Sequence, residues 1–326
     1  MNQKKFFFLK LFVLLLIFFW IIKSVNLEES IKVLTKTNLY YFSLAFLISN
    51  LSNIFLTVKW YRLVSPLKIK SNFWDLLALN YISTFYSSFI PGQASGEIIK
   101  GLKLAKSEGS HQNVWIPIFI DKITNLLVVF IIGFVAILCD EHYSKNTSLV
   151  FVISFLTLLL LFLTIILFTE NTSRFIEYLK DKLVNFLNIF KLNTTILSNF
   201  SLNHFEEYKK QKLIILEAVI WSFLIKLPHI FAFYLLALSL NMHLNLIESA
   251  WFFSVISIVV LMPISFSGLG VREGISIFLL SKVGIDSSSA LSYSILIFLI
   301  GVLIALIGGV FELFYGHELD KKNTSK

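Results

Sequence analysis

The chain has 326 residues and a formal net charge of +8; 56% of its residues are hydrophobic, 15% are charged, and phenylalanine alone occurs 34 times. An ordinary soluble domain is roughly 25% charged, and no soluble core of this size hides so much apolar surface. With a mean hydropathy of +0.79, this excludes a soluble enzyme, a disordered chain and a disulfide scaffold, and leaves an all-α polytopic membrane protein.

Residues 6–22 form an apolar run behind Lys4 and Lys5 with no small-residue cleavage site after it, so an uncleaved first span is expected. Further runs at 39–58, 113–138, 149–168, 213–240 and 290–311 are each long enough to cross about 30 Å of hydrocarbon as a helix. Two shorter stretches, 73–90 and 249–264, each lead into a Gly-rich break and then further apolar or amphipathic sequence. Between spans, residues 172–212 are too polar to cross. Phe175, Leu179, Leu183, Phe186 and Phe190 recur there at helical spacing, which predicts an amphipathic connector on the inner membrane surface.

The cations sit between the apolar runs, so the positive balance reads as topology and not as a nucleic-acid surface. Lys4 and Lys5; Lys59, Arg62, Lys68 and Lys70; Lys100, Lys103 and Lys106; the basic residues of 172–212; and Lys321, Lys322 and Lys326 are all expected in the cytoplasm. For Lys100, Lys103 and Lys106 to stay inside, 73–90 must dip into the membrane and return, and 249–282 must do the same from outside. This predicts six crossings and two re-entrant broken hairpins, with both termini cytoplasmic. In the alternative, some halves cross fully and the chain has eight or more spans.

The two breaks resemble each other. Pro91-Gly92-Gln93-Ala94-Ser95-Gly96-Glu97 and Pro263-Ile264-Ser265-Phe266-Ser267-Gly268 share Pro-x-x-x-Ser-Gly, and each is followed by an acid and a base within one helical turn: Glu97 with Lys100, and Arg272 with Glu273. Their units, 39–138 and 213–311, have opposite orientations under this topology, as inverted-repeat transporters do. Proline stops a helix. Glycines, here Gly92, Gly96, Gly268, Gly270 and Gly274, permit tight turns and close approach. A helix that starts inside the membrane turns free N–H groups toward a cavity, an arrangement suited to an anion.

Ionisable groups in such sequence are costly and normally pair or line a pathway. Glu97, Lys100, Arg272 and Glu273 are therefore cavity-lining candidates, with Lys226 beside them and the adjacent Asp121 and Lys122 as a candidate relay. Gln93, Ser95, Ser265 and Ser267 are candidate hydrogen-bonding groups. Internal Arg–Glu pairing without a ligand is the competing reading. Gly96-Glu97-Ile98-Ile99-Lys100-Gly101 runs into Leu102 and is no P-loop. The six histidines are scattered without metal-ligand spacing, so no metal or other cofactor is expected. The lone Cys139 excludes an intramolecular disulfide.

These motifs resemble those of the flippase-like membrane family named after the transmembrane region of lysylphosphatidylglycerol synthase. That family carries an early Pro-Gly…Gly-Gly-Asp…Arg segment and a late Pro-Ile-Ser…Gly-Gly-x-Gly-x-Arg-Glu-Gly segment. The late motif is matched closely by Pro263 to Gly274, whereas Ser95, Glu97 and Lys100 depart from the early one. Lys in place of Arg gives up a bidentate fork. Asp121-Lys122 is similar to an acidic–basic pair often found at the following helix. The resemblance implies a multi-pass protein of the plasma (inner) membrane handling lipids. With the chain ending at Lys326, no soluble aminoacyltransferase domain is expected, and a lipid-modifying partner enzyme would be encoded separately. The function expected is a flippase or transporter for an anionic lipid headgroup, with membrane lipids as partners. An integral membrane transferase acting on a lipid-linked substrate, or an accessory membrane subunit, are the alternatives.

Overall fold

A computed structural model describes residues 27–67, 72–89, 95–108, 114–140, 147–167, 182, 208, 211–261 and 268–321. These form ten α-helices and no strands, as expected of an all-α membrane protein. The first apolar run, nearly all of the 172–212 connector, and Pro91, Gly92, Gln93, Pro263, Ser265 and Ser267 lie outside the described residues.

The helices are α1 (Leu27–Thr35), α2 (Leu39–Val64), α3 (Phe73–Phe89), α4 (Ser95–Glu108), α5 (Trp115–Cys139), α6 (Thr147–Leu167), α7 (Lys212–Ser239), α8 (Leu246–Val260), α9 (Val271–Lys282) and α10 (Ser287–Lys321). Among the described residues, α2, α5, α7 and α10 are long and apolar enough to cross a membrane. At about 1.5 Å per residue, their 26, 25, 28 and 35 residues exceed the hydrocarbon thickness. Helices α3, α4, α8 and α9, of 17, 14, 15 and 12 residues, reach only roughly 18–26 Å, less than about 30 Å of hydrocarbon.

Local chemistry sets the helix starts. Asn38 caps α2 by accepting from Tyr40 N at 3.0 Å, and its own N–H donates to Ser239 O at 2.8 Å, which ties the start of α2 to the end of α7. Asn245 and Glu248 form a reciprocal capping box on α8. Gly268 and Gly270 both hold φ near +80°, a region in which a side chain is strained. They turn the chain into α9, and Glu273 accepts from Gly270 N at 2.6 Å.

Helices from the two halves of the chain pack against each other. Helix α2 runs along α7, α3 lies on α10, and α5 lies on α8. Close approach in the last two pairs depends on glycine, as is common between membrane helices. A Cβ at Gly308 would sit 2.0 Å from Tyr81 O, and one at Gly133 would sit 3.0 Å from Ser254 Cβ. The main core gathers Phe233, Phe252, Phe253 and Tyr293 in edge-on and tilted contacts, with Tyr293 donating to Phe233 O at 2.9 Å. From the connector, the buried Tyr208 donates to Leu63 O at 2.5 Å.

Candidate functional site

Four helices bring six ionisable side chains together. The apolar run at the start of α2 does not end at residue 58 but continues through Trp60, Leu63 and Val64, all buried. Lys59 is therefore inside the helix and fully buried, not a loop lysine beyond the span as the charge pattern predicts. Its ammonium faces Asp121 of α5 at 2.6 Å and donates to Thr124 Oγ1 at 2.9 Å and Ser222 Oγ of α7 at 2.7 Å. With the Asp121 backbone carbonyl at 3.4 Å as a fourth, longer acceptor, all three protons are taken up. Sequence reasoning misses Lys59 because it stands directly after the apolar run 39–58. The signal was the apolar sequence that resumes after it.

Asp121 and Lys122 are neighbours in sequence and point different ways. Asp121 turns inward to Lys59, and Lys122 meets Glu97 of α4 at 3.2 Å with its side chain 44% exposed. Glu97 keeps one carboxylate oxygen, Oε2, buried and without a hydrogen-bond partner among the described residues. Helix α4 is pressed onto α3 at Gly96, where a Cβ would lie 2.0 Å from Ser83 O. Ser95 donates back to Tyr86 O at 3.3 Å. One turn further along α4, Lys100 is 1% exposed, with its ammonium 3.2 Å from the centre of the Trp60 ring, a cation–π contact.

Lys226 completes the group. It lies one turn along α7 from Ser222 and interacts electrostatically with Lys59, Asp121 and Lys122. Four lysines thus stand against two acids. Lys59 is matched by Asp121 and Lys122 by Glu97. Lys100 and Lys226 have no carboxylate at ion-pair distance among the described residues. Lys103, further along α4, pairs with Glu312 at 2.9 Å.

The second Ser-Gly break is arranged differently. Arg272 and Glu273, both buried, form an ion pair. Arg272 Nε also donates to Ser294 Oγ of α10 at 3.2 Å, and its guanidinium lies 5.0 Å from the Phe298 ring centre. Gly274 N donates to Gly270 O at 2.9 Å as the helix begins. Among the described residues, no ion pair or hydrogen bond joins Arg272 or Glu273 to the lysine group. Of the candidate residues, Glu97, Lys100, Asp121, Lys122 and Lys226 are brought together, while Arg272 and Glu273 pair with each other.

An apolar groove of about 590 Å³ lies between α5, α7 and the start of α8.

The chain is 23% identical over 320 residues to a UPF0104 membrane protein of Pyrococcus horikoshii, covering 92% of this chain and 93% of that one. It is 22% identical over 322 residues to a UPF0104 membrane protein of Methanocaldococcus jannaschii, covering 93% of each. No solved structure matches it significantly. Residues 7–309 match the family described as Lysylphosphatidylglycerol synthase TM region, and the chain belongs to that family of multi-pass membrane proteins.

Proposed function

We propose that the protein is a lipid flippase or transporter that carries an anionic lipid headgroup across the membrane. The observation that carries this reading is the lysine excess between α2, α4, α5 and α7: among the described residues, Lys100 and Lys226 are two cations without a carboxylate at ion-pair distance, in a cluster between apolar helices long enough to span a membrane. Uncompensated charge in such a place is expensive, and a lipid phosphate supplies the missing negative charge through charge-assisted hydrogen bonds. Lys59, saturated by Asp121, Thr124 and Ser222, fixes the frame. Lys100, Lys122 and Lys226 receive the headgroup, and Glu97 Oε2 accepts from a headgroup hydroxyl. Gln93, Ser95, Ser265 and Ser267 are proposed to add hydrogen bonds as the headgroup passes.

The inverted repeat is part of the same reading, and the helix pairing supports it. In the register that aligns Pro91 with Pro263, Gly96 falls on Gly268, Lys100 on Arg272 and Asp121 on Tyr293. Repeat 39–138 then corresponds to 213–311, and the contact of α3 with α10 becomes the counterpart of that of α8 with α5. The link from α2 to α5 through Lys59 and Asp121 has its counterpart in the hydrogen bond between α7 and α10 from Tyr293 to Phe233 O. A broken pair of half-helices in each repeat, α3–α4 in one and α8–α9 in the other, fits a transporter arrangement.

The test is reconstitution into vesicles carrying fluorescent phosphatidylglycerol or a fluorescent isoprenoid phosphate in one leaflet. The purified protein is expected to equalise the leaflets for at least one of these lipids, and Lys226→Gln is expected to slow it more than tenfold. Unchanged leaflet distribution for both lipids, or full activity in Lys226→Gln, refutes the reading.

A further inference from the structure

We propose that the groove between α5, α7 and α8 holds a hydrocarbon chain of the same lipid whose phosphate the lysines bind, with Lys226 at the joint between the two. This inference rests on the anion-binding reading above and extends it from headgroup to tail.

The groove wall includes Ile132, Val135 and Cys139 of α5 and Phe223, Leu227 and Ile230 of α7. Every lining side chain is apolar or the lone thiol, and the volume falls within the roughly 300–1,000 Å³ of ligand pockets. Bilayer tails gain little by entering such a groove, because lipid is as apolar as its walls. Selectivity must come from the polar group at its edge. Helical spacing supplies that group. Residues three and four apart are surface neighbours, so Lys226 adjoins Ser222 on one side and Phe223 and Ile230 on the other. Ser222 accepts from Lys59, the centre of the cationic group, and Phe223 and Ile230 line the groove. Lys226 therefore borders both. A phosphate with one alkyl chain spans this joint, with its charge on the lysines and its chain along α7. Inorganic phosphate satisfies only the first part and an uncharged alcohol only the second.

Cys139 gives a direct readout. It is the only cysteine in the chain, it is exposed, and it lies on the groove wall. The protein is placed in phosphatidylcholine nanodiscs and labelled with N-ethylmaleimide in the presence of dodecyl phosphate, inorganic phosphate or dodecanol. Dodecyl phosphate at twice its Kd is expected to slow labelling about threefold by mass action, whereas inorganic phosphate and dodecanol leave the rate unchanged. In Lys226→Gln the protection by dodecyl phosphate is expected to disappear, with the unprotected labelling rate retained. Equal protection by dodecanol, or undiminished protection in Lys226→Gln, overturns the inference. Native mass spectrometry of the same samples separates the two claims. Dodecyl phosphate that binds without shielding Cys139 overturns the groove and leaves the lysine site standing. Failure of both dodecyl phosphate and inorganic phosphate to bind overturns both.

Discussion

Lys59 and Asp121 meet at 2.6 Å with side chains 0% and 3% exposed, and they join α2 to α5 where α7 closes over them. Removing one partner of a buried pair strands a charge, at a cost of about 3–5 kcal/mol, whereas replacing both by apolar groups is often neutral. Lys59→Met and Asp121→Leu are each expected to lower the unfolding temperature in detergent sharply. The double variant is expected to recover most of the loss. Additive losses in the double variant would show that the pair is not what holds these helices together.

Arg272 is neutralised by Glu273, and Glu273 also accepts from the Gly270 amide that opens α9. Its role in this arrangement is to hold the second break together. Arg272→Ala leaves the Glu273 carboxylate buried without its cation, again about 3–5 kcal/mol. Expected is a lower unfolding temperature with retained dodecyl phosphate binding in the folded fraction, measured by native mass spectrometry. Loss of binding at unchanged stability would place Arg272 in the headgroup site.

Glycine positions separate packing from propensity. At Gly96 and Gly308 an added Cβ would lie 2.0 Å from the carbonyl oxygens of Ser83 and Tyr81, backbone atoms that cannot swing away. At Gly301 nothing lies within 4 Å. Alanine is worth up to about 1 kcal/mol over glycine inside a helix. Gly96→Ala and Gly308→Ala are therefore expected to unfold at lower temperature, and Gly301→Ala at the same or a higher one.

The helices were legible because apolar runs and their breaks follow directly from the cost of exposing backbone and charge in lipid. The runs at 113–138 and 213–240 became Trp115–Cys139 and Lys212–Ser239, and the shorter stretch 73–90 became Phe73–Phe89. The site was legible only in part. Glu97, Lys100, Asp121, Lys122 and Lys226 stand out as charges in apolar sequence. Lys59 does not, because a lysine near the end of a span has a cheap cytoplasmic explanation. Only the packing of α5 and α7 reveals that it is enclosed. Nor does the sequence show that Asp121 and Lys122 serve different partners. Adjacent helical residues point about 100° apart, and which direction is inward depends on neighbours distant in the chain. The choice of Arg272 for Glu273, one residue away, over a shared pocket with Lys100 is likewise fixed by the turn at Gly268 and Gly270.

Outside the spans, Asp286 sits just before α10 and accepts from Ser289 N at 2.9 Å. Burial pushes its carboxyl up, but hydrogen bonds from Ser289 and from the Ser288 backbone outweigh this and hold it below the ordinary carboxylate value. A lowered folded value means that the stabilisation is complete above the unfolded pKa of about 3.9 and is lost as pH falls through the folded one. Asp286→Ala removes the cap, which typically costs about 1 kcal/mol. The difference in unfolding temperature between Asp286→Ala and the parent protein is expected at pH 7 and to shrink below pH 4. A gap that persists unchanged into acid would mean that the carboxylate charge plays no part.

Glu97 is the acid that holds the lysine excess at two. It pairs with Lys122 at 3.2 Å, and its buried Oε2 has no hydrogen-bond partner among the described residues. Glu97→Gln keeps the shape, removes one negative charge and releases Lys122, so three of the four lysines then lack an acid. If charge balance governs headgroup capture, dodecyl phosphate should bind the variant about tenfold tighter, or about 1.4 kcal/mol. The gain should lie mainly in slower dissociation, as affinity changes within one site usually do, and lipid exchange in vesicles should slow because release is delayed. Native mass spectrometry gives the affinity and the vesicle assay the rate. Weaker binding in Glu97→Gln would mean that the carboxylate serves the headgroup as a hydrogen-bond acceptor more than it restrains the cations.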